Sequence, residues 1–323
     1  AGAAPSCIIC RFGVYFRYWK KGEARGALRK AGRSPVFWER GEFFGMTNRI
    51  EGKTYDAERS LYHLRDTRVE NCTFAGPADG ESVLKECSHV EVAGCRFSLR
   101  YPLHTFTLAR SELDEGTRAP IWYAQNGRIE DCTITGVKCL RECDNVLVKG
   151  GTIVSPEFGW KCRTVTLKDV SVESEYMLLD SRDIEAENLQ FKGKYSFQYT
   201  ENVRIRHSVL DTKDAFWHSK NVTVEDSEVR GEYLGWFSEG LTLVRCHISG
   251  TQPLCYCKNL TLIDCTMEGT DLSFEYSDVH AVVKGTIESV RSPRSGRIEA
   301  DAIGEILHDA DVFESHCEIV TKQ

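Results

Sequence analysis

The chain has 323 residues, of which 41% are hydrophobic and 28% are charged, and its formal net charge is −7 at neutral pH. This balance is typical of a soluble globular protein and excludes a disordered chain. No apolar run approaches the roughly 18 residues that a membrane-spanning helix needs, so we expect no membrane partner. The negative charge also argues against a nucleic-acid partner, because phosphates require clustered Lys and Arg side chains.

Residues 1–45 differ in charge from the rest of the chain, with nine Lys or Arg against three Asp or Glu. The apolar stretch from Cys7 to Phe16 precedes most of the positive residues, which is the wrong order for a secretory signal. We interpret residues 1–45 as a basic N-terminal extension or leader, with Met46 as an alternative start. The other interpretation is an amphipathic extension that caps the following domain.

From Val146 onward, aliphatic residues recur every nineteen residues without a gap. The series is Val146, Val165, Ile184, Val203, Val222, Leu241, Leu260 and Val279. A second aliphatic series follows two residues later, and because alternate strand residues share a face, both series point inward. Repetition at a fixed period of this length indicates a solenoid.

Each repeat also predicts a second and a third strand. The second strand places Ile153, Val172, Phe191, Leu210, Val229, Ile248 and Met267 inside. The third strand, twelve to sixteen residues after each start, places its even positions inside, namely Phe158, Met177, Ala215, Leu234, Trp160, Leu179, Trp217, Trp236 and Phe274. The residue before each start is Asn, Asp or Gly, except Thr164, and these types tolerate the left-handed conformation of a tight turn.

Three short strands per turn, with turns about 4.8 Å apart, describe an all-β fold. We predict a single-stranded right-handed parallel β-helix over residues 46–291; no Leu/Asn framework supports a leucine-rich repeat. Earlier starts at Val69, Val90, Phe106 and Ile129 are unequally spaced, so the insertion from Leu99 to Trp122 is expected to form a loop of functional interest. Residues 292–323 leave the register and are predicted to form a C-terminal cap.

Most of the fourteen cysteines fall at small interior positions of the repeat and are interpreted as buried free thiols. Cys7 and Cys10 have no second pair at zinc spacing, and Cys255 and Cys257 are separated by one residue only. We therefore expect no metal site and no cofactor. So many unpaired thiols favour a reducing, cytoplasmic location.

Residues Glu58 to Gly304 resemble a known family. The resemblance rests on CTFAGPADGES at residues 72–82, SPEFGWKC at 155–162, KGKYSFQY at 192–199, TKDAFWHSKNV at 212–222 and GTQPLCYC at 250–257. The chain is similar there to an uncharacterised bacterial family of pectate-lyase-like β-helix proteins, domain of unknown function 3737. The resemblance covers more than three quarters of the chain and implies a pectate-lyase-like fold. It implies no activity and no catalytic residue.

The outward positions of the third predicted strand contain an unusual number of aromatic residues. They are Tyr176, Tyr195, Tyr233, Phe197, Phe216, Tyr199, Phe237 and Tyr256, whereas the outward positions of the other two strands contain none. Aromatic planes beside carboxylates suit sugar rings, and exposed apolar patches mark binding sites. A saccharide or small-molecule ligand is therefore the expected partner; the sequence does not indicate an oligomeric state.

We predict a catalytic trio of Asp180, Asp214 and His218 on this face. Carboxylates one and two turns apart lie about 5 and 10 Å from each other, which brackets retaining and inverting glycosidases. The predicted substrate-binding residues are Glu157, Lys161, Glu175, Tyr176, Lys194, Tyr195, Tyr199, Lys213, Glu232 and Tyr233. The first hypothesis is thus a saccharide-directed enzyme resembling a polysaccharide lyase or a glycoside hydrolase.

Two other interpretations remain. The first is a non-catalytic scaffold that binds a glycan or a protein, in which the tyrosines rather than the carboxylates determine affinity. The second is purely structural: the aromatic residues stack between turns or lie under a loop, and Glu142, Lys161 and Asp180 form an ion-pair ladder of little energetic worth.

Overall fold

A computed structural model describes residues 46–76, 81–103, 107–309 and 311–322, with the side chains of all of these except residues 81, 82 and 101–103. The predicted N-terminal extension, residues 1–45, lies outside the described residues. The described part is an all-β, right-handed parallel β-helix of about 14 turns spaced about 19 residues apart, as predicted. Within it, no helix has the length and apolarity to span a membrane.

Two rows of parallel strands form the body of the solenoid. The first row contains β1 (Asn48–Glu51), β3 (Arg65–Glu70), β6 (Ser88–Ala93), β9 (Thr107–Ala109), β11 (Gln125–Glu130), β13 (Asp144–Lys149), β15 (Arg163–Lys168), β17 (Arg182–Glu187), β19 (Glu201–Arg206), β21 (Lys220–Glu225) and β23 (Glu239–Val244). The second row contains β2 (Thr54–Tyr55), β4 (Thr73–Ala75), β7 (Arg96–Ser98), β10 (Glu112–Thr117), β12 (Thr133–Gly136), β14 (Thr152–Val154), β16 (Ser171–Ser174), β18 (Gln190–Gly193), β20 (Val209–Asp211), β22 (Glu228–Arg230) and β24 (His247–Ser249).

The remaining strands lie at the two ends of the solenoid. Near the N-terminal end, β5 (Glu81–Leu84) and β8 (Tyr101–Leu103) pair with each other. At the C-terminal end, the longer strands β25 (Leu260–Glu268), β26 (Asp278–Arg291) and β27 (Ser295–Leu307) are followed by β28 (His316–Thr321). Because β27 pairs with both β26 and β28, the segment predicted as a cap itself contributes the last two rungs of the sheet.

The register of the first row follows the nineteen-residue period. Val146 pairs with Val165, and Val165 pairs with Ile184. The predicted inward residues of both strand rows are buried, from Val148 and Leu167 in the first row to Val172 in the second. Interior serines of the second row are satisfied between turns; the Leu189 N–H donates to Ser208 Oγ at 3.0 Å. The core is therefore one continuous column along the axis.

The turn before each first-row strand has the predicted left-handed conformation. Asn145, Asp183, Asn202 and Asn221 have positive φ angles, and so does Thr164, the exception in the sequence pattern. The amides of this row link successive turns, since Asn202 Nδ2 donates to Asp183 Oδ1 at 2.9 Å.

The cysteines of the described residues are unpaired, and all except Cys317 are buried. Cys7 and Cys10 lie outside the described residues. The interpretation of the other cysteines as small interior residues is confirmed for these buried positions. Burial raises the pKa of Cys95 and Cys132 to about 11, which keeps both thiols protonated at neutral pH.

The predicted third strand is wrong in its backbone. Between residues 144 and 277, all of which the structure describes, each turn has two strands, which are merged into β25 in the last turn, and then a turn-forming segment, which we call the third segment. In the third segment of residues 194–200, Tyr195, Phe197 and Tyr199 all have positive φ angles. Strict alternation of inward and outward side chains belongs to pleated strands, so it does not apply here.

The side-chain directions change accordingly. Phe197 and Phe216, predicted to point outward, are buried at 0% and 2% exposure. Trp217 and Trp236, predicted to lie inside, are half-buried at the surface. Phe274 is inside, as predicted. The last third segment contains one extra residue, because the Tyr256 N–H donates to Glu275 O, nineteen residues on, where the Tyr199 N–H donates to Trp217 O, eighteen residues on.

Candidate ligand-binding face

Backbone hydrogen bonds between turns hold the third segments in place. The Tyr195 N–H donates to Lys213 O at 2.7 Å in the next turn, and the Phe197 N–H donates to Met177 O at 2.8 Å in the previous one. The Tyr199 N–H again donates forward, to Trp217 O at 2.8 Å. This alternation satisfies the backbone without a strand and fixes the unfavourable left-handed conformation of large residues.

One row of rings, which we call the outer ladder, consists of Tyr199, His218, Phe237, Tyr256 and Tyr276; the first three are exposed and the last two are half-buried. Tyr199 stacks on His218 with a centroid distance of 5.0 Å, and His218 stacks on Phe237 at the same distance. Phe237 stacks on Tyr256 at 4.9 Å. Because these distances equal the rise of about one turn, the ring planes lie nearly perpendicular to the solenoid axis.

A second row, which we call the tyrosine row, contains Tyr176, Tyr195, Asp214 and Tyr233 at equivalent positions of successive turns. Tyr176 and Tyr195 stack with a centroid distance of 4.8 Å. The three tyrosines are half-buried, and Asp214 is 7% exposed. Only Tyr199 among the predicted tyrosines is well exposed, at 55%.

Between these rows lies the tryptophan row, Trp160, Trp217 and Trp236, whose indole N–H groups bond to the following turn. Trp217 Nε1 donates to Tyr233 O at 2.7 Å, and Trp236 Nε1 donates to Gln252 O at 2.7 Å. Trp217 and Trp236 also stack at 5.4 Å with an interplanar angle of 4°. Their role is to bind turn to turn while presenting an apolar edge between the two outer rows.

Most of the predicted charged binding residues pair with each other. Lys194 Nζ lies 3.9 Å from Glu175, and Lys213 Nζ lies 2.7 Å from Glu232 and above the ring of Tyr233. Glu157 lies 3.3 Å from Lys138 Nζ. Exposed ion pairs of this kind contribute little stability, and each of these side chains would have to leave its partner in order to bind a ligand.

Asp180 and Lys161 differ from those residues. Both are exposed, and neither side chain forms a hydrogen bond or an ion pair with any residue that the structure describes. They occupy the outer-ladder position in the two turns before Tyr199. The ion-pair ladder of Glu142, Lys161 and Asp180 is therefore wrong; Glu142 lies 3.7 Å from Arg141 instead.

The structure does not bring the predicted catalytic trio into one cluster. Asp180 and His218 lie in the same row with Tyr199 between them, as predicted, whereas Asp214 belongs to the tyrosine row. Both faces of the His218 ring are covered by Tyr199 and Phe237, and this burial lowers the pKa of His218. His218 is thus a member of a ring stack, with only its edge exposed.

Asp214 has an unusual environment for a carboxyl group. Its side chain has no hydrogen-bond partner among the described residues, and burial raises the pKa of Asp214 to about 6, against an opposing effect of Lys213. Part of its population therefore keeps a proton near neutral pH, which is the property of a general acid.

The C-terminal end of the outer ladder is closed. Tyr276 contacts Phe313 edge to face at 5.1 Å, and its hydroxyl donates to Asp309 Oδ2 at 3.0 Å. Arg291 Nε also donates to Asp309 at 2.9 Å and anchors that segment. The N-terminal end, at Tyr199, has no such cover among the residues described here.

Sequence reasoning missed a cluster one turn before the regular repeat. Arg141 lies between the rings of Trp122 and Trp160, at 5.7 and 5.5 Å from their centroids. Tyr123, next to Trp122, is 55% exposed. Trp122 and Tyr123 precede Arg141 and Glu142 by nineteen residues, so extending the repeat by one turn toward the N-terminus would have predicted this cluster.

Two overlapping concavities lie on another face, that of the second strand row. Their volumes are about 500 and 540 Å³, and both are lined by Arg96, Glu112 and Thr133. They adjoin β10, where the pairing with β12 shifts register between Leu113 and Thr117. The predicted loop of functional interest, residues 99–122, thus contributes to a polar groove that contains none of the predicted site residues.

The family described as protein of unknown function (DUF3737) matches residues 48–320. No curated protein is similar enough to match the chain. Among solved structures, PfbA, a surface adhesin of Streptococcus pneumoniae, is 8% identical with a TM-score of 0.32, and the alignment covers 82% of each chain. The catalytic domain of a GH87 alpha-1,3-glucanase in complex with tetrasaccharides is 7% identical with a TM-score of 0.28, over 85% of this chain and 64% of that chain. Similarities this low give no argument about function.

Proposed function

We propose that this chain, which belongs to the DUF3737 family of proteins of unknown function, binds a saccharide on its third segments without turning it over. The observation that carries the proposal is the exposure of Tyr199 and Phe237, at 55% and 40%, in one row with the unpaired Asp180 and Lys161. Exposed rings beside free hydrogen-bonding groups are the usual components of a sugar site.

The geometry favours binding over catalysis. A glycosidase needs two carboxyl groups on either side of one bond, at about 5 to 9.5 Å. Asp214 is flanked in its row by Tyr195 and Tyr233, and the other two residues of the trio belong to the outer ladder. The paired charges of Lys213 and Glu232 beside Asp214 provide no second free carboxylate there.

A glycan array tests this proposal. We expect the wild-type chain to bind at least one glycan class and a variant with Tyr199→Ser and Phe237→Ser to lose that binding. The matched control replaces two aliphatic residues of similar exposure on the C-terminal strands β25 and β26, Ile263 and Val282, with serine and should keep it. An equal loss of glycan binding in both variants, or a wild-type chain that binds no glycan on the array, would reject the function.

Asp214 supports a second candidate function, that of a pectate-lyase-like or glycoside hydrolase-like enzyme. A carboxyl group with a pKa of about 6 can donate a proton to a leaving group at neutral pH. The assay measures new reducing ends and unsaturated products from each glycan that binds. Turnover that disappears in Asp214→Asn while affinity is kept would favour the enzyme over the binding protein.

A further inference from the structure

The outer ladder ends at Tyr199 with one ring face that no described residue covers. His218, in the following turn, covers the other face at an interplanar angle of 15°. Phe237, which is covered on both faces, is 40% exposed, whereas Tyr199 is 55% exposed. The free face of Tyr199 is therefore directed along the axis toward the preceding turn.

The equivalent position in that preceding turn is occupied by Asp180. The Asp180 N–H donates to Gln198 O just as the Tyr199 N–H donates to Trp217 O, so the two residues share one backbone position. A short carboxylate replaces a ring there, which leaves room above it for one ring at the stacking distance of about 5 Å. The opposite end of the ladder offers no such place, because Phe313 contacts Tyr276.

The groups around this place match the hydroxyls of a sugar. Asp180 accepts hydrogen bonds, and Lys161, one turn further or about 10 Å from Tyr199, donates them. Two turns beyond Lys161 along the same row lies Tyr123, 55% exposed and stacked on Trp122 at 5.4 Å. Two exposed tyrosines about 19 Å apart thus bound a polar stretch of the row.

The geometry points to a subsite for one pyranose ring on the free face of Tyr199, continued by further sugar units toward Tyr123, with Asp180 and Lys161 bonding the hydroxyls. This inference rests on the proposed function and names its ligand class, a neutral oligosaccharide. A uronate chain would place its carboxylates beside Glu142 and Asp180, the two exposed carboxylates of the row, against one free cation among the described residues of the row, Lys161. The nearby cations Lys138 and Arg141 already face Glu157.

Isothermal titration calorimetry with soluble hexasaccharides tests the subsite. The neutral probes are β-1,4-linked glucose, xylose and N-acetylglucosamine hexamers, and the acidic probe is a galacturonate hexamer. We expect a neutral hexamer to bind and Tyr199→Ala to weaken it at least about tenfold, which is about 1.4 kcal/mol. Phe237 belongs to the same face, but both of its ring faces are covered and only its edge can touch a sugar, so Phe237→Ala should weaken binding by less than about threefold.

Lys161→Gln provides a second comparison, with Lys194→Gln as its control, because Lys194 already pairs with Glu175. We expect only the Lys161 variant to weaken binding. Circular dichroism and the denaturant midpoint of each variant show whether it is folded. Preference for the galacturonate hexamer, or equal losses in Tyr199→Ala and Phe237→Ala, would overturn the subsite while leaving the glycan-binding face intact. Absence of binding by every probe would overturn both.

Discussion

At the scale of single residues, Asp214 determines a pH dependence of stability. Its pKa is raised from an ordinary value of 3.8 to about 6 by burial. Below about pH 3 the carboxyl is protonated in both the folded and the unfolded chain and has no effect. As the pH rises toward 6, the unfolded chain ionises first, so the free energy of unfolding falls by up to about 3 kcal/mol and then stays constant.

Replacing Asp214 with Asn removes this ionisation, so we expect the variant to be more stable than the wild type above pH 6. The difference should vanish near pH 3. Urea unfolding at both pH values measures the difference in the free energy of unfolding. The control is Asp180→Asn at an exposed position, which should change this free energy by no more than about 0.5 kcal/mol at either pH. A wild-type stability that does not depend on Asp214 at pH 7.5 would show that its carboxyl is solvated.

Trp236 tests the bonding between turns. Its indole ring is half-buried, stacks on Trp217 and donates a hydrogen bond to Gln252 O. We expect Trp236→Ala to lower the free energy of unfolding by about 2 to 3 kcal/mol, below the range for fully buried rings. Trp236→Phe keeps the ring and loses the N–H, so it should cost about 1 kcal/mol. Equal costs in the two variants would contradict the packing contribution.

At the scale of elements, one of the turns before the first-row strands, the turn at Thr164, has a residue that is poorly suited to its conformation. Thr164 has a φ angle of 51°, a conformation that a β-branched residue adopts with strain, whereas its neighbours in the row are Asn145 and Asp183. We expect Thr164→Asn to raise the free energy of unfolding by about 1 kcal/mol, because it relieves backbone strain and adds a side-chain amide hydrogen bond to the row. The converse change, Asn202→Thr, should destabilise by a similar amount. An increase in stability for both would refute the argument.

The strands could be predicted from the sequence because their physical pattern is simple. Val146, Val165 and Ile184 recur at one spacing, and the residues between the inward positions are mostly polar, as in a half-buried strand. The third segment could not, because Phe197 and Phe216 adopt positive φ angles that are expected of Gly and Asn. The N–H group of each donates to a carbonyl of the preceding turn, and neighbouring residues of the segment donate to the following turn. A local sequence pattern does not show such bonds between turns.

The candidate site was predicted in part for the same reason. The outer-ladder positions of Asp180, Tyr199 and His218 follow from the period alone, and they lie in one row as predicted. The separation of Asp214 from that row, and the pairing of Lys213 with Glu232, depend on the backbone of the third segment. A pleated strand would place Asp214 and His218 on the same outward face, whereas the actual backbone leaves Asp214 almost buried.

At the scale of the whole molecule, the solenoid offers two surfaces that differ in chemistry. The face of the third segments presents stacked rings and a free polar stretch, and the face of the second strand row presents a polar groove around Arg96, Glu112 and Thr133. Each turn contacts only its neighbours in a fold of this type, so either surface can change without altering the other.

The central claim is that the third-segment face holds a neutral glycan, and a crystal structure of the protein soaked with a neutral hexasaccharide that binds in solution tests it most directly. We predict a sugar ring stacked on Tyr199, with hydroxyls bonded to Asp180 and Lys161. A sugar seated in the groove of Arg96 and Glu112, with the Tyr199 ring face left bare, would contradict the account.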